Sequence, residues 1–408
     1  MSNGTVTIPP NAGAPEYGLD LVPDIDFAVK DPTVIQSEVI LDYQAAFLAL
    51  TGIAKALAPG DPVRLHLLAV CEWLSHQRTI IDFTGKMNLL KYAHDDYLDN
   101  LAALHGDRAL RLQATPALCT LQFTLAAQLS FDALIPAGTQ VQAPNAVTFE
   151  TLEDVRLISP SLTVQVGAQC TLPGVIGNDF APGQINSIIN WNQAFGLQVA
   201  NIDTTHGGAD EETDDQYRYR VWLAIESYST CGPRDAYEFW ALSASPDIIQ
   251  CVVHSAPEIA GEVWLYPLCR GSTRAEFLPS SEILALVEAS CSAKTRRPVT
   301  DFVTAKVPTV VEYLLDMTYY VSSDNEVLLS TIQSNVQQAV ADWIVWERSY
   351  ISRDINTDEL VRRCVEAGAK RITVATPSPG FQVLDFDEIA CHSETVAPVI
   401  NYGGIEDP

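Results

Sequence analysis

Positive charge is the scarcest property of this sequence: 24 Lys and Arg stand against 51 Asp and Glu, a formal charge of −27 at neutral pH. Such a surface repels nucleic-acid phosphates and anionic lipid, so direct binding to either is disfavoured. Acidity alone names no partner, because it also keeps soluble proteins dispersed. Charged residues of both signs make up only 18%, which hints at buried contact surface. No stretch approaches the ~20 apolar residues of a membrane span, so no membrane insertion is expected. The first thirty residues hold Pro9, Pro10, Pro15, Asp20, Asp24 and Asp26 without a basic start and apolar run, and are not read as a signal peptide. The nine cysteines are scattered singly with no CxxC pair. That removes zinc spacing and leaves buried small hydrophobes in a reducing cytoplasm as the expectation. GxSxG, HExxH, P-loop and GxGxxG motifs are also missing, so no enzyme, cofactor or metal is expected.

What is present suits two to four domains in 408 residues. The expected fold class is α+β multidomain: N-terminal helices, an inserted antiparallel β-sandwich-like domain and two small α+β units. Residues 1–31 are rich in Pro, Gly and Asp and read as an extended arm, laid on a neighbour or left mobile. Residues 32–111 are a helical region. Ile40, Tyr43, Phe47, Leu50 and Ala54 form one helical stripe that Ala58-Pro59-Gly60 should end, and Asp61-Pro62 opens a second helix through Leu65, Leu68 and Cys71 toward Leu89 and Leu101. These helices could bury their stripes within their own domain or against another subunit.

Residues 112–206 carry one basic residue, Arg156, and six acids, with Thr, Gln, Val, Ala and Pro dominant. Leu121, Phe123 and Leu125 alternate with polar residues, as do Leu162, Val164 and Val166, which is the period of half-buried strands. Turn signals at Pro136-Ala137-Gly138, Ala143-Pro144-Asn145, Leu172-Pro173-Gly174, Gly177-Asn178 and Ala181-Pro182-Gly183 predict an antiparallel sandwich or barrel. Residues 207–305 return to helical spacing up to Cys231-Gly232-Pro233. A helix over 234–244, two strand-like runs joined through Pro257 and Gly261, and a helix near Ser281 to Glu288 follow. Residues 306–408 read strand, helix, helix, strand, strand. Val311 to Tyr319 alternate as one strand, Leu328, Ile332, Val336, Val340 and Ile344 line a helix face, and Asn356 to Glu359 is a capping box for a helix ending near Gly368.

The densest local feature is Gly207-Gly208-Ala209-Asp210-Glu211-Glu212-Thr213-Asp214-Asp215-Gln216-Tyr217-Arg218-Tyr219-Arg220. Two glycines let the chain swing out of the β domain, and Asp210 or Thr213 can accept the free N–H groups of a helix start. Glu211, Glu212, Asp214 and Asp215 are placed in the first turns, where the helix dipole favours carboxylates, with Asp214 reaching Arg218. A calcium loop would alternate its ligands around a turn glycine, whereas these acids are contiguous. Two carboxylates on one helix start also cannot flank a glycosidic bond. Cys391-His392 would point to opposite faces of a strand, and His94-Asp95-Asp96 reads as a solvated helix surface.

The glycine pair, the acidic helix start and Tyr217-Arg218-Tyr219-Arg220 together resemble the signature of the baseplate J-like protein family. Other segments agree in order: Ile135-Pro136-Ala137-Gly138-Thr139 with Phe149-Glu150-Thr151, Gly177-Asn178, Ala181-Pro182-Gly183-Gln184-Ile185, Ser229-Thr230-Cys231-Gly232-Pro233 with Tyr237, then Ile248, Val252, Val253, Pro257 and Gly261. The resemblance covers roughly Thr120 to Leu268. It implies a structural wedge subunit of a contractile phage tail baseplate, present in the virion and assembled in the host cytoplasm. By the same resemblance it would pair as a homodimer, bundle its helices with a partner wedge protein, contact tail hub and sheath-initiating baseplate proteins, and transmit the change that triggers sheath contraction. A receptor- or carbohydrate-binding tail module and a tail-associated hydrolase are the rival readings. For the former, Trp191 and Phe195 are the few aromatics the β domain offers.

Overall fold

In a computed structural model the described residues are 19, 22–189, 196–229, 231–255, 259–271 and 273–407. The arm up to residue 18, Trp191, Phe195, Thr230 and Pro257 lie outside them. The chain divides into two compact units, Ala14–Leu110 and Arg111–Pro408.

The first unit is built on three helices, α1 (Pro32–Thr51), α2 (Pro62–Lys86) and α3 (Asp95–Ala102), with α1 packed on α2. Asp31 and Asp61 cap α1 and α2, each accepting a backbone N–H at 2.8 Å two residues on, and each is followed by a proline at the first helical position, where no N–H is missed. α1 ends earlier than its sequence stripe suggested. Gly52 takes φ +70° and returns its N–H to the Leu48 carbonyl, so the helix stops there and Ala54 falls outside it. α2 stops at Lys86 instead of running on toward Leu101. The end of the arm is fastened to its own chain. The Asp82 carboxylate accepts Lys30 Nζ at 2.6 Å, Lys86 Nζ at 3.0 Å and the Phe27 N–H at 2.9 Å, which holds its pKa well below the usual carboxylate range. The Phe27 ring lies where a Cβ on Gly85 would be, 2.5 Å from its Cδ2.

The second unit begins with strands β1 (Leu118–Leu125), β2 (Ala133–Ile135), β3 (Gln140–Gln142), β4 (Thr148–Thr151), β5 (Val155–Leu157), β6 (Thr163–Cys170), β7 (Ser187–Ile188) and β8 (Leu197–Asn201). Six of them form one antiparallel sheet in the order β7-β3-β4-β6-β1-β8, while β2 pairs with β5. The two edge strands, β7 and β8, approach one another, so the sheet curls nearly closed. It is a barrel-like layer around one core, the second of the two forms, sandwich or barrel, that the turn pattern allowed. Closing a sheet on itself hides its edges and lets alternate residues of every strand share one interior. Leu121, Phe123, Ile135, Val141, Phe149, Val166, Ala168 and Ile185 fill it.

Next come α4 (Asp214–Leu223), α5 (Arg234–Leu242), β9 (Ile248–Ser255), β10 (Glu262–Cys269), α6 (Arg274–Phe277), α7 (Ser281–Cys291) and β11 (Phe302–Ala305). β10 is the middle strand, antiparallel to β9 and parallel to β11, and α5 packs on β9 and α7. Leu265, Tyr266, Leu268 and Cys269 are buried in succession because β10 is covered on both faces. One cover is the last part of the chain: Tyr266, Leu268 and Phe277 share a core with Ile351, Ile389 and Cys391.

That last part comprises β12 (Thr309–Tyr313), β13 (Asp316–Ser322), α8 (Leu329–Glu347), β14 (Ile355–Asn356), α9 (Thr357–Glu366), β15 (Arg371–Thr376), β16 (Phe381–Gln382), β17 (Glu388–His392) and β18 (Val399–Glu406). The run Val311 to Tyr319 is not one strand. It breaks at Leu314-Leu315 into β12, which pairs with β17, and β13, which sits between β15 and β18. The inward alternation of Tyr313, Leu315, Met317 and Tyr319 continues through the break, facing Ile332, Val336, Val340 and Trp343 of α8. Leu328 lies before α8 and is 55% exposed. Asn356 does cap α9, accepting the Asp358 N–H at 3.0 Å, but Glu359 pairs with Arg362 and Arg363 and closes no box. Of the nine cysteines Cys231 is exposed and the others are buried, all as free thiols.

Truncating Phe123, wholly buried between β6 and β8, should destabilise the barrel by about 3–5 kcal/mol in denaturant unfolding, while Leu134→Ala at a 43% exposed position should cost far less.

Candidate functional site

The chain enters and leaves the barrel side by side. Thr115 and Ala209 exchange backbone hydrogen bonds at 2.8 and 3.1 Å, Leu118 and His206 at 2.7 and 3.1 Å, and the Glu212 N–H reaches the Leu112 carbonyl at 3.0 Å. This two-stranded neck joins the barrel to α4, and the glycine pair sits in it with a separate task for each residue. Gly207 adopts φ +80° in open space, a backbone conformation that disfavours a side chain. Gly208 is needed for closeness: a Cβ there would stand 2.5 Å from the Gly174 carbonyl oxygen, 2.8 Å from Asn178 Oδ1 and 3.1 Å from Ala117 Cβ. Asn178 grips it from both sides, donating to the Gly208 carbonyl at 2.7 Å and accepting its N–H at 2.9 Å.

The acids that follow do not act as one helix start. Thr213 is the N-cap of α4, in a capping box with Gln216, and only Asp214 and Asp215 lie in the first turn. Asp210, Glu211 and Glu212 precede the helix, contrary to the expected placement of the two glutamates. Asp210 accepts the Val175 N–H at 3.1 Å, and Glu211 accepts Gln113 Nε2 at 3.3 Å. Asp214 pairs with Arg111 at 2.7 Å and Asp215 with Arg218 at 2.6 Å, so the expected Asp214 to Arg218 pairing is replaced by one at i+3. The reason is reach: Arg111 enters from the other neck strand and meets Asp214 first.

Glu212 and Arg220 form the centre. Their side chains are 4% and 1% exposed, and the guanidinium donates two parallel hydrogen bonds to the carboxylate, Nε to Oε1 at 2.8 Å and Nη2 to Oε2 at 2.7 Å. The Leu112 N–H adds a third at 3.1 Å, and Arg111 Nη1 donates to the Glu212 carbonyl oxygen. The Tyr217 ring lies between two guanidinium groups, 4.5 Å from Arg111 and 5.3 Å from Arg220. Taking two charges out of water is costly, and only such bidentate, fully bonded geometry offsets it. The cluster therefore welds both neck strands to α4.

The remaining motif residues form a second corner. Gly232 has φ +74°, Pro233 precedes α5, and the buried Tyr237 hydroxyl donates to Asp301 Oδ2 at 2.6 Å beside Pro298. Burial first, and Asp301 second, push the Tyr237 phenol up. Sequence reasoning missed Arg111, Asn178 as a clamp, Asp301 and Glu238. Glu238 accepts the Tyr219 hydroxyl at 2.8 Å, and burial raises its carboxyl to about 7. An acid on a helix carries no sequence sign of being buried. Cys391 and His392 are both buried but serve different neighbours, the core shared with β10 and the Tyr313 ring at 5.6 Å. His94 meets exposed Asp95 at 2.8 Å.

Comparison with known proteins matches residues 120–208 to the family described as "Baseplate J-like protein barrel domain" and residues 229–307 to "Baseplate J-like central domain". Baseplate protein J of Escherichia phage P2 is 26% identical over 166 residues, 41% of this chain and 52% of that protein. The chain thus spans about half the length of the curated relative it matches. A chain in the cryo-EM structure of the anti-feeding prophage baseplate aligns over 87% of this chain and 90% of its own, with 11% identity and a TM-score of 0.44.

Arg220→Ala, which strands Glu212 without its partner, should cost about 3–5 kcal/mol in unfolding experiments. The Asp215–Arg218 ion pair, whose acid is 59% exposed, should itself contribute no more than about 1 kcal/mol in a double-mutant cycle of such experiments. Gly208→Val should destabilise the neck by roughly 3 kcal/mol, measured the same way; a neutral effect would mean that the barrel is not held by that contact.

Proposed function

We propose that this chain, which matches the baseplate J-like barrel and central domains over residues 120–208 and 229–307, is a structural wedge subunit of a contractile tail baseplate. The observation that carries the reading is the surface of the helical unit. Along α1 and α2, Leu41, Leu50, Leu65, Trp73 and Ile81 are 63%, 89%, 55%, 76% and 55% exposed. Apolar side chains in that number on two adjoining helices are what a helical bundle with other chains would cover. In this reading a second copy and a partner wedge protein supply those helices, and the assembly rings the tail hub beneath the sheath-initiating proteins. The welded neck passes movement between barrel and central domain as a rigid unit when sheath contraction is triggered. The place of action is the tail baseplate of the virion, after assembly in the host cytoplasm. No helix among the described residues is long and apolar enough to cross a membrane. Function here is mechanical: the acids of the neck are engaged by Arg111, Arg218, Arg220 and backbone N–H groups, which supports a structural role over a hydrolytic one.

Purified particles carrying Trp73→Glu with Leu50→Glu should lack complete baseplates by electron microscopy, while the isolated chain keeps its far-ultraviolet circular dichroism. Normal, contraction-competent tails from that double variant would refute the helical-interface reading.

A further inference from the structure

The C-terminal domain buries a carboxyl group that the neck and its charges do not explain. Glu347, the last residue of α8, is 0% exposed. Its Oε1 accepts the Asn356 backbone N–H at 3.2 Å, while Oε2 is buried with no hydrogen-bond partner among the described residues. The charged groups nearest to it are engaged elsewhere. Arg353 stacks 4.2 Å from the Trp346 ring and donates to the Trp346 carbonyl and to Ser349 Oγ. On α9, Arg363 donates to Glu359 at 2.8 Å, and Glu359 also binds Arg362 at 2.6 Å. The strands under α8 supply Tyr313 from β12 and its register partner His392 from β17. Trp343 lies one helical turn before Glu347, with its ring centre 5.6 Å from that of Tyr313, which is itself 5.6 Å from His392. Tyr313 Oη, Trp343 Nε1 and His392 Nε2 are likewise buried without a hydrogen-bond partner among the described residues.

A carboxylate in such a place would carry an unpaired charge into an apolar core, whereas the neutral acid carries only a polar group. We propose that Glu347 is a proton-binding site of the C-terminal domain, folded as the neutral acid against Tyr313, Trp343 and His392, and that loss of its proton loosens α8 from the β12–β17 pair. Burial, opposed in part by the Asn356 N–H and by Arg353 and Arg363, raises this carboxyl from 4.5 to about 7. A raised folded-state value means stability that is complete below the unfolded value and declines as pH rises through about 7. His392 works in the opposite sense, since burial lowers its pKa and its neutral form is the one that fits, so acidification works against it. Among the described residues burial also raises Glu238 to about 7 and Asp247 to about 6, and both must be separated from Glu347.

The test compares the full chain with Glu347→Gln, an uncharged isostere, and with Glu238→Gln and Asp247→Asn. Thermal midpoints and hydrogen exchange of α8 peptides are measured between about pH 4 and pH 8. The wild type should match Glu347→Gln at the acid end and fall below it by roughly 5–10 °C at the alkaline end, with faster α8 exchange corrected for pH. Infrared difference spectra should show a protonated carboxylic acid in the wild type, in Glu238→Gln and in Asp247→Asn that titrates near neutrality and is missing from Glu347→Gln. Parallel pH profiles for wild type and Glu347→Gln would overturn the proposal, as would infrared spectra unchanged by that substitution. So would a Glu347→Gln chain that cannot fold at any of these pH values, because an uncharged isostere should fit where a neutral acid does.

Discussion

The buried pair of Glu212 and Arg220 is the constraint on which the arrangement of barrel, neck and central domain depends. It lies where the barrel's two connections meet α4, and it holds them through side chain and backbone at once: Arg220 takes the carboxylate, Leu112 adds its N–H, and Arg111 takes the Glu212 carbonyl. An insertion joined by two strands could hinge about them. Here the strands pair from Thr115 to Ala209 and from Leu118 to His206 and end in a charge pair whose side chains are buried. A neck of that construction resists bending, because movement would break bonds that water cannot reach to remake.

The same logic of close approach recurs above and below the pair. Gly208 and Gly177 both stand against Ala117, where a Cβ on either would collide, and Asn178 fills the hydrogen-bonding capacity of Gly208. Beyond the neck, the central and C-terminal parts are joined by an apolar core containing Tyr266, Leu268, Ile351 and Ile389. Polar groups thus secure one junction and apolar packing the other. Apolar packing is indifferent to pH, while two acids near the second junction, the part-buried Glu238 and the buried Glu347, are not.

The α+β multidomain class was legible because period and punctuation are local: Leu121, Phe123 and Leu125 alternate, Ile332, Val336 and Val340 recur every fourth residue, and Asp61 and Thr213 sit where caps belong. The neck was located by its glycines. Its chemistry was misjudged where neighbours in sequence were taken as neighbours in space. Asp214 finds Arg111, not Arg218, and Glu212 leaves the helix start to meet Arg220. The expected single strand from Val311 to Tyr319 failed for a related reason, since alternation reports which face is buried and says nothing about which sheet a residue joins.

The sequence by itself determined the acidic charge, the inward-facing residues of strand β1 and helix α8 and many of the turns and caps, because those follow from interactions within about four residues along the chain. Only the tertiary structure decided that the β segment curls into a barrel, that Leu112 meets Glu212 one hundred positions along the chain, and that Glu347 is sealed from water. Those outcomes depend on which distant backbones come close enough to exclude solvent, and a residue's identity does not specify what will surround it.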